Sequence, residues 1–175
     1  MSDKKPNSDA VGTENKPAAR DAFDAAVKYL AASPRSEKEV REKLYGKGFN
    51  RAEVEEAVAR AKQYRYIDDE SYAAEFAETY GARYGRKKVE YRLVYEKGVP
   101  PDIAAAAVRN ILDDGSEEEK ACAAAKKYAA AKKLDGRRDA AKLAAYLYRK
   151  GFEGGVISRA VESTLQGTEF FGDGE

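Results

Sequence analysis

Three near-identical hexapeptides constrain this chain more than any other feature: Leu44-Tyr45-Gly46-Lys47-Gly48-Phe49, Val94-Tyr95-Glu96-Lys97-Gly98-Val99 and Leu147-Tyr148-Arg149-Lys150-Gly151-Phe152, offset by 50 and then 53 residues. Self-similarity at such a period marks stacked repeats, each too small to bury its apolar face alone. Each hexapeptide reads as a helix ending. A glycine past the last turn takes the left-handed conformation at C′, the lysine before it complements the negative end of the helix dipole, and apolar residues at C3 and C″ close over the end. The expected pairs are Leu44 with Phe49, Val94 with Val99, and Leu147 with Phe152. One helix ending used three times predicts three similar modules.

The apolar share of 43% is largely alanine, and no segment sustains the alternation of a half-buried strand. Alanine favours closely packed helices. The prediction is therefore an all-α chain of three tandem three-helix repeats stacked into an elongated, curved, solenoid-like structure. No run approaches the roughly 18 apolar residues of a membrane span, and the polar stretch Met1 to Asn15 lacks the apolar centre of a secretion signal, so a cytoplasmic location is expected. Histidine, the commonest general base and metal ligand, is absent, and a lone Cys122 allows no intramolecular disulfide. The acids fall at capping and solvated-face positions. No catalytic residue, metal site or cofactor is expected, and Cys122 reads as a small buried hydrophobe.

Residues 1–20 are polar, proline-punctuated and aperiodic, the pattern of a disordered arm. In the first module, 21–67, Ala22, Ala25, Ala26, Tyr29 and Leu30 recur at helical spacing. Ser36 and Glu39 then make a capping box for a helix with the apolar pair Val40 and Leu44, and Asn50 and Glu53 open a third helix burying Val54, Ala57, Val58 and Ala61. In the second module, 68–115, Asp68-Asp69-Glu70 cap a helix bearing Tyr72, Ala73, Phe76 and Tyr80. A middle helix runs from about Arg86 to Lys97, and Pro100-Pro101-Asp102 launches a third with Ile103, Ala106, Ala107 and Ile111 inward. The third module, 116–165, opens on a Ser116/Glu119 capping box. It places Cys122, Ala125 and Ala129, then Leu143 and Leu147, then Ile157, Ala160, Val161 and Leu165 inside. Residues 166–175 form a short acidic, glycine-bearing tail.

Ser33-Pro34-Arg35-Ser36 leads into Arg41-Glu42-Lys43-Leu44 and Lys47-Gly48-Phe49. Tyr66-Ile67-Asp68-Asp69 precedes Tyr72-Ala73, Gly85 to Val99 follows, and Lys142-Leu143 runs through Tyr146-Leu147 to Arg149-Lys150-Gly151-Phe152. This ordered set, covering about residues 21 to 165, resembles the RecX regulatory proteins. The resemblance implies regulation by protein contact. It points to a monomer that docks along the groove of the RecA recombinase filament and inhibits strand exchange, RecA ATP hydrolysis and filament growth, in DNA repair and the SOS response. It implies no active site. From Gly85 to Lys97 the spacing is one residue longer than the family pattern, so Leu93 or Val94 matches Leu44; the hexapeptide register favours Val94.

The net charge is +1, yet Lys/Arg stand against acids ten to eight in 21–67, seven to ten in 68–115 and eleven to seven in 116–165, which makes the third module the most basic. Its cations Lys126, Lys127, Lys132, Lys133, Arg137 and Arg138 could meet an acidic protein face or a DNA backbone, or simply form a solvated helix face. In the middle helix Lys88, Tyr91, Arg92 and Tyr95 share a face at i, i+3, i+4 and i+7, and alternating cations and aromatics stack on bases or pair with carboxylates. Tyr45 and Tyr148 recur at the position of Tyr95, which favours half-buried packing instead. Arg83, Arg86 and Lys87 extend the stretch as exposed cations, and Arg35 and Arg41 fit the family pattern. Two other function classes remain. One is a helical DNA-binding module, for which near-zero net charge allows only weak contact with single- or double-stranded DNA; the other is a repeat scaffold for a different protein partner.

Overall fold

The computed structural model describes residues 21–111, 114–134 and 136–166. The expected arm, 1–20, and residues 167–175 of the expected tail lie outside the described residues. Among the described residues all regular structure is helical. In the first module α1 (Ala22–Leu30) is capped by Asp21, while α2 (Glu37–Tyr45) and α3 (Arg51–Gln63) each start with a complete capping box, Ser36 with Glu39 and Asn50 with Glu53. In the second, Asp68 accepts from the Glu70 and Ser71 amides to start α4 (Asp69–Gly81); α5 (Arg86–Tyr91) and α6 (Pro101–Ile111) follow. The third holds α7 (Asp114–Lys132), a 3-10 turn at Arg137–Asp139, α8 (Ala140–Lys150) and α9 (Gly154–Gln166). The first and third helices of each module pack on each other, with the middle helix laid across them.

Each module has its own apolar cluster. Val40, Leu44, Val54, Val58 and Ile67 centre the first, Val89, Leu93, Val99, Ala104 and Val108 the second, and Leu143, Leu147, Phe152, Ile157 and Ala160 the third. Two expectations need correcting here. The inner face of α6 is Ala104, Ala107 and Val108: Ala106 is exposed, Ile103 is half-buried and the Ile111 side chain lies outside the described residues. Those three follow Val54, Ala57 and Val58 by 50 residues, so the helix repeats its counterpart although a run of alanines hid the face. The second concerns α7, which is already helical at Asp114, so that Ser116 lies within the helix rather than at its N-cap. Glu117, only 1% exposed, turns instead to the second module, where it accepts from the Arg86 amide at 2.8 Å and so caps the start of α5.

The hexapeptides end their helices as expected in the outer modules. The Phe49 amide donates to the Leu44 carbonyl and the Gly48 amide to that of Tyr45; Phe152 with Leu147 and Gly151 with Tyr148 repeat the pattern. The middle module differs. Residues Arg92–Glu96 form a π turn, the Lys97 amide reaches the Arg92 carbonyl at 3.0 Å, and the Val99 amide reaches Leu93 rather than Val94. Leu93 is therefore the core counterpart of Leu44, fully buried, while Val94 is half-buried, and the expected Val94–Val99 register is overturned. A π turn absorbs an inserted residue by widening the helix locally, which keeps both flanks in phase.

The middle helices meet end to end. The Lys38 ammonium, on the first turn of α2, donates to the Tyr95 and Glu96 carbonyls at the end of the π turn, at 3.2 and 3.1 Å. Lys88, on the first turn of α5, does the same to the Arg149 carbonyl of α8 at 3.0 Å. Lysines of the hexapeptides reach back across the same joints, Lys97 to Glu39 at 2.7 Å and Lys150 to the Arg83 carbonyl at 3.0 Å. Backbone bonds from Gly85 to Lys150 and from Lys87 to Gly151 close the second joint. Two things favour glycine at the helix ends: Gly48, Gly98 and Gly151 have φ between +70 and +87°, and a Cβ on Gly151 would lie 2.3 Å from the Lys88 Cβ and 2.6 Å from its backbone nitrogen. At Gly98 the clash is with the Lys38 side chain, and at Gly48 a Cβ meets nothing within 4 Å.

Gly48→Ala should therefore cost about 1 kcal/mol, the left-handed strain alone, whereas Gly151→Ala should cost roughly 2 to 4 kcal/mol because overpacking against backbone is added. Equal losses in denaturant titrations would refute the joint. Leu93→Ala should cost about 3 kcal/mol and Val94→Ala about 1; the reverse order would restore the simple hexapeptide register.

Candidate partner-binding surface

The aromatic residues of α4 organise the cations around it. Tyr72, Phe76, Tyr80 and Tyr84 form a column with successive ring centroids at 6.1, 4.1 and 6.3 Å. Arg92 lies over Tyr80 and Tyr84, and the Lys88 and Lys150 ammonium groups lie 5.0 and 5.2 Å from the Tyr84 ring centre. Three cations from two modules thus share one ring face region, each attracted by the aromatic quadrupole. Tyr128 stacks on Tyr146 at 3.9 Å beside this hub, and Lys150 also faces Tyr146. Of the candidates from helical spacing, Lys88 is spent on holding modules two and three together and Arg92 on the tyrosine column and Glu96 within module two.

Other candidates are likewise engaged. Arg41 is gripped by Glu37 and Glu55, and its partner Glu37 also holds Lys62 at 2.7 Å. Arg35 lies over the Tyr29 ring at 5.0 Å. Arg86, expected to be an exposed cation without buried contacts, pairs with the buried Glu117 through its backbone amide and lies 3.6 Å from it through Nε. That leaves Arg83, Lys87, Lys132, Lys133, Arg137 and Arg138 exposed, as expected, together with Lys126, Lys127 and Arg149. Seven of them fall in two groups. Arg83, Lys87 and Arg149 surround the second joint, while Lys132 to Arg138 lie by the start of α8, roughly 15 Å away at 1.5 Å per residue.

The tyrosines of the hexapeptides are the residues that sequence reasoning placed wrongly. Tyr45, Tyr95 and Tyr148 are 45, 68 and 73% exposed, and the neighbouring Tyr91, whose ring is 4.8 Å from that of Tyr95, is 57% exposed. Each follows a buried core leucine by one residue, or by two across the π turn, and that step alone turns a side chain out of the core. The surface so far consists of the exposed hexapeptide tyrosine of each module, the further exposed tyrosines Tyr64, Tyr66 and Tyr91, and two clusters of exposed cations. Cys122 is half-buried at the edge of the third cluster rather than fully buried. Among the described residues no His, Cys, Asp and Glu side chains converge as metal ligands, and no helix is long and apolar enough to cross a membrane.

Comparison with known proteins identifies what this array is. The profile of the RecX first three-helix domain matches residues 22–60, and that of the third three-helix domain matches residues 116–161. The regulatory protein RecX of Caldanaerobacter subterraneus subsp. tengcongensis is 33% identical over 147 residues, spanning 83% of this chain and 72% of its own length. The chain belongs to the RecX family. The regulatory protein RecX of Bacillus licheniformis is 30% identical over 143 residues, and the match spans 81% of this chain but only 54% of that relative. The crystal structure of RecX from Lactobacillus salivarius superposes with a TM-score of 0.72 at 26% identity, covering 82% of this chain and 94% of that one. RecX is a family of regulatory proteins, and its three-helix domains agree with the repeat fold described above.

Charge at the first joint carries a pH dependence. Burial alone would raise the Glu39 carboxyl, but hydrogen bonds from Lys97 and the Ser36 amide override it and hold it below the ordinary 4.5. Glu37 is likewise lowered, by Lys62 and Arg41 against its own desolvation. Asp69 moves the other way, since desolvation outweighs its bond from the Glu37 amide. A carboxylate held below its unfolded value stabilises above that value and loses its contribution as pH falls through the folded one. Stability should therefore drop below about pH 4.5, and Lys97→Met should lower stability at pH 7 while flattening this drop. Asp69→Asn should steepen it, because Asp69 gains from protonation. Denaturant midpoints between pH 3 and 7 read all three, and an unchanged acid slope in Lys97→Met would exclude the Lys97–Glu39 pair as a stabilising contact.

Proposed function

We propose that the protein is a non-enzymatic cytoplasmic regulator that binds the RecA nucleoprotein filament as a monomer and inhibits its recombinase and ATPase activities, in DNA repair and the SOS response. The observation that supports this reading best is the end-to-end array itself, in a member of the RecX family. Modules fixed at two joints present equivalent exposed positions at successive heights, and such a rod can touch several subunits of a polymer at once. Once one module is docked, the others bind at high effective concentration, so several weak patches sum to a useful affinity. Exposed tyrosines suit this role because they bury large area at small entropic cost. The exposed cations around the second joint supply steering toward an acidic surface. Near-neutral net charge is compatible with only weak binding to bare DNA.

Cosedimentation with RecA-coated DNA and inhibition of RecA ATP hydrolysis test the reading directly; no binding and unchanged hydrolysis at saturating protein would reject it. Tight binding to DNA alone would favour the DNA-binding alternative. Within the proposal, Tyr95→Ala with Tyr148→Ala should raise the half-inhibitory concentration about tenfold at any salt concentration. Replacing Arg83, Lys87 and Arg149 by alanine should weaken inhibition mainly at low salt, because screening removes steering by exposed charges.

A further inference from the structure

The two joints of the array are built from different bonds. At the second, main chain meets main chain: the Gly85 amide donates to the Lys150 carbonyl at 2.9 Å and the Lys87 amide to that of Gly151 at 3.2 Å. Around them Glu117 accepts from the Arg86 amide, the Lys88 and Lys150 ammonium groups reach the Arg149 and Arg83 carbonyls, and the Tyr84 ring gathers both lysines. Among the described residues, every hydrogen bond across the first joint contains a side chain. Lys38 donates to the Tyr95 and Glu96 carbonyls, Lys97 to Glu39, and the Glu37 amide to the Asp69 carboxylate.

The cause lies at one equivalent position. Ser36 is the N-cap of α2, and Gly85 is the N-cap of α5. The Ser36 hydroxyl accepts from the Glu39 amide, and the Ser36 amide donates to the Glu39 carboxylate at 3.1 Å, so this helix start is completed locally and its N-cap amide is spent at home. Gly85 has no side chain to cap with, and its amide crosses the joint instead. Only glycine permits that approach: a Cβ on Gly85 would stand 2.4 Å from the Gly151 carbonyl oxygen and 2.5 Å from its carbon. Two backbone bonds hold the chains in register with no rotatable side chain between them, whereas a lysine ammonium on its flexible stem follows a carbonyl over a range of positions. The Lys38 side chain is 41% exposed, so water competes for its bonds. The covalent link across the first joint is equally slight. Ile67 is buried in the first core and Asp68 is already the cap of α4, so a single peptide separates the two modules.

We propose that the second and third modules form one stiff body and that the first module pivots on the Ile67–Asp68 link, with the Lys38, Lys97 and Asp69 contacts as a soft restraint. Both joints set the direction of the array, and the serine or glycine at the N-cap of the middle helix sets the stiffness of each. On the function proposed above, the pivot lets the first module find its contact after the other two have docked, at the effective concentration that the link provides. The test needs no partner, so its outcome is separate from that of the function.

Spin labels on the third helix of each module read the joints in the full-length protein by double electron-electron resonance. In a Cys122→Ala background, Ala59→Cys with Arg109→Cys spans the first joint and Arg109→Cys with Ser163→Cys spans the second, all at exposed sites. The first distance distribution should be about twice as wide as the second. Equal widths, or a wider second distribution, would overturn the proposal. Gly85→Ser gives α5 the cap residue that α2 carries, which favours the helix itself but forbids the close approach. It should widen the second distribution to that of the first and leave the first unchanged. A second distribution that stays narrow in Gly85→Ser would overturn the assignment of stiffness to the backbone bonds. The comparison in the chain that keeps Gly85 decides independently of whether this variant folds.

Discussion

Everything above the level of a single module rests on a lysine meeting the carbonyl end of another module's helix. Lys38 and Lys88 each close the C-terminal end of a helix some sixty residues away in sequence, and they do so where the N-terminus of their own helix abuts it. Two helices placed head to tail oppose a positive end to a negative one, so the joint is favourable even before the ammonium group is counted. Only a glycine lets the two chains approach closely enough for this bond. The three-helix units would otherwise be beads on a string, each with a core too small to fix its neighbour.

Much of this was legible in the chain. The hexapeptide repeat located the helix endings, the capping boxes of α2 and α3 stood in plain view, and the core leucines of the outer modules followed from spacing. What failed did so for reasons of scale. A repeat comparison aligns letters, and the letters of Val94 matched although the extra residue lies between Leu93 and Gly98, so that Leu93 holds the core position. The start of α5 carries no cap of its own in the sequence, because a buried acid 31 residues away in α7 completes that helix end.

The candidate surface was less legible, since helical spacing tells which side chains share a face but not what stands opposite. Lys88 and Arg92 looked like a binding stripe and serve a tyrosine column; Arg41 fitted the family pattern and sits between two glutamates. The recurring tyrosines misled in the opposite direction. Recurrence signalled a common role, and packing was the ordinary inference, but the position one step past a core leucine points outward in a helix. Charge counts by module picked the third as the most basic, and its cations Lys132 to Arg138 are exposed as that count suggested.

The π turn has a consequence for symmetry. Tyr45 and Tyr148 stand one residue beyond their core leucines and Tyr95 stands two beyond, inside the wide turn, so the middle tyrosine leaves its helix at a different angle from the others. A rod with identical rungs could slide along a polymer of identical subunits and fit equally well at each step. With one rung turned, a shift by a single module no longer superposes the rod on itself. The inserted residue thus converts a translationally degenerate array into one with a unique phase, and the wide turn that absorbs it leaves both joints undisturbed.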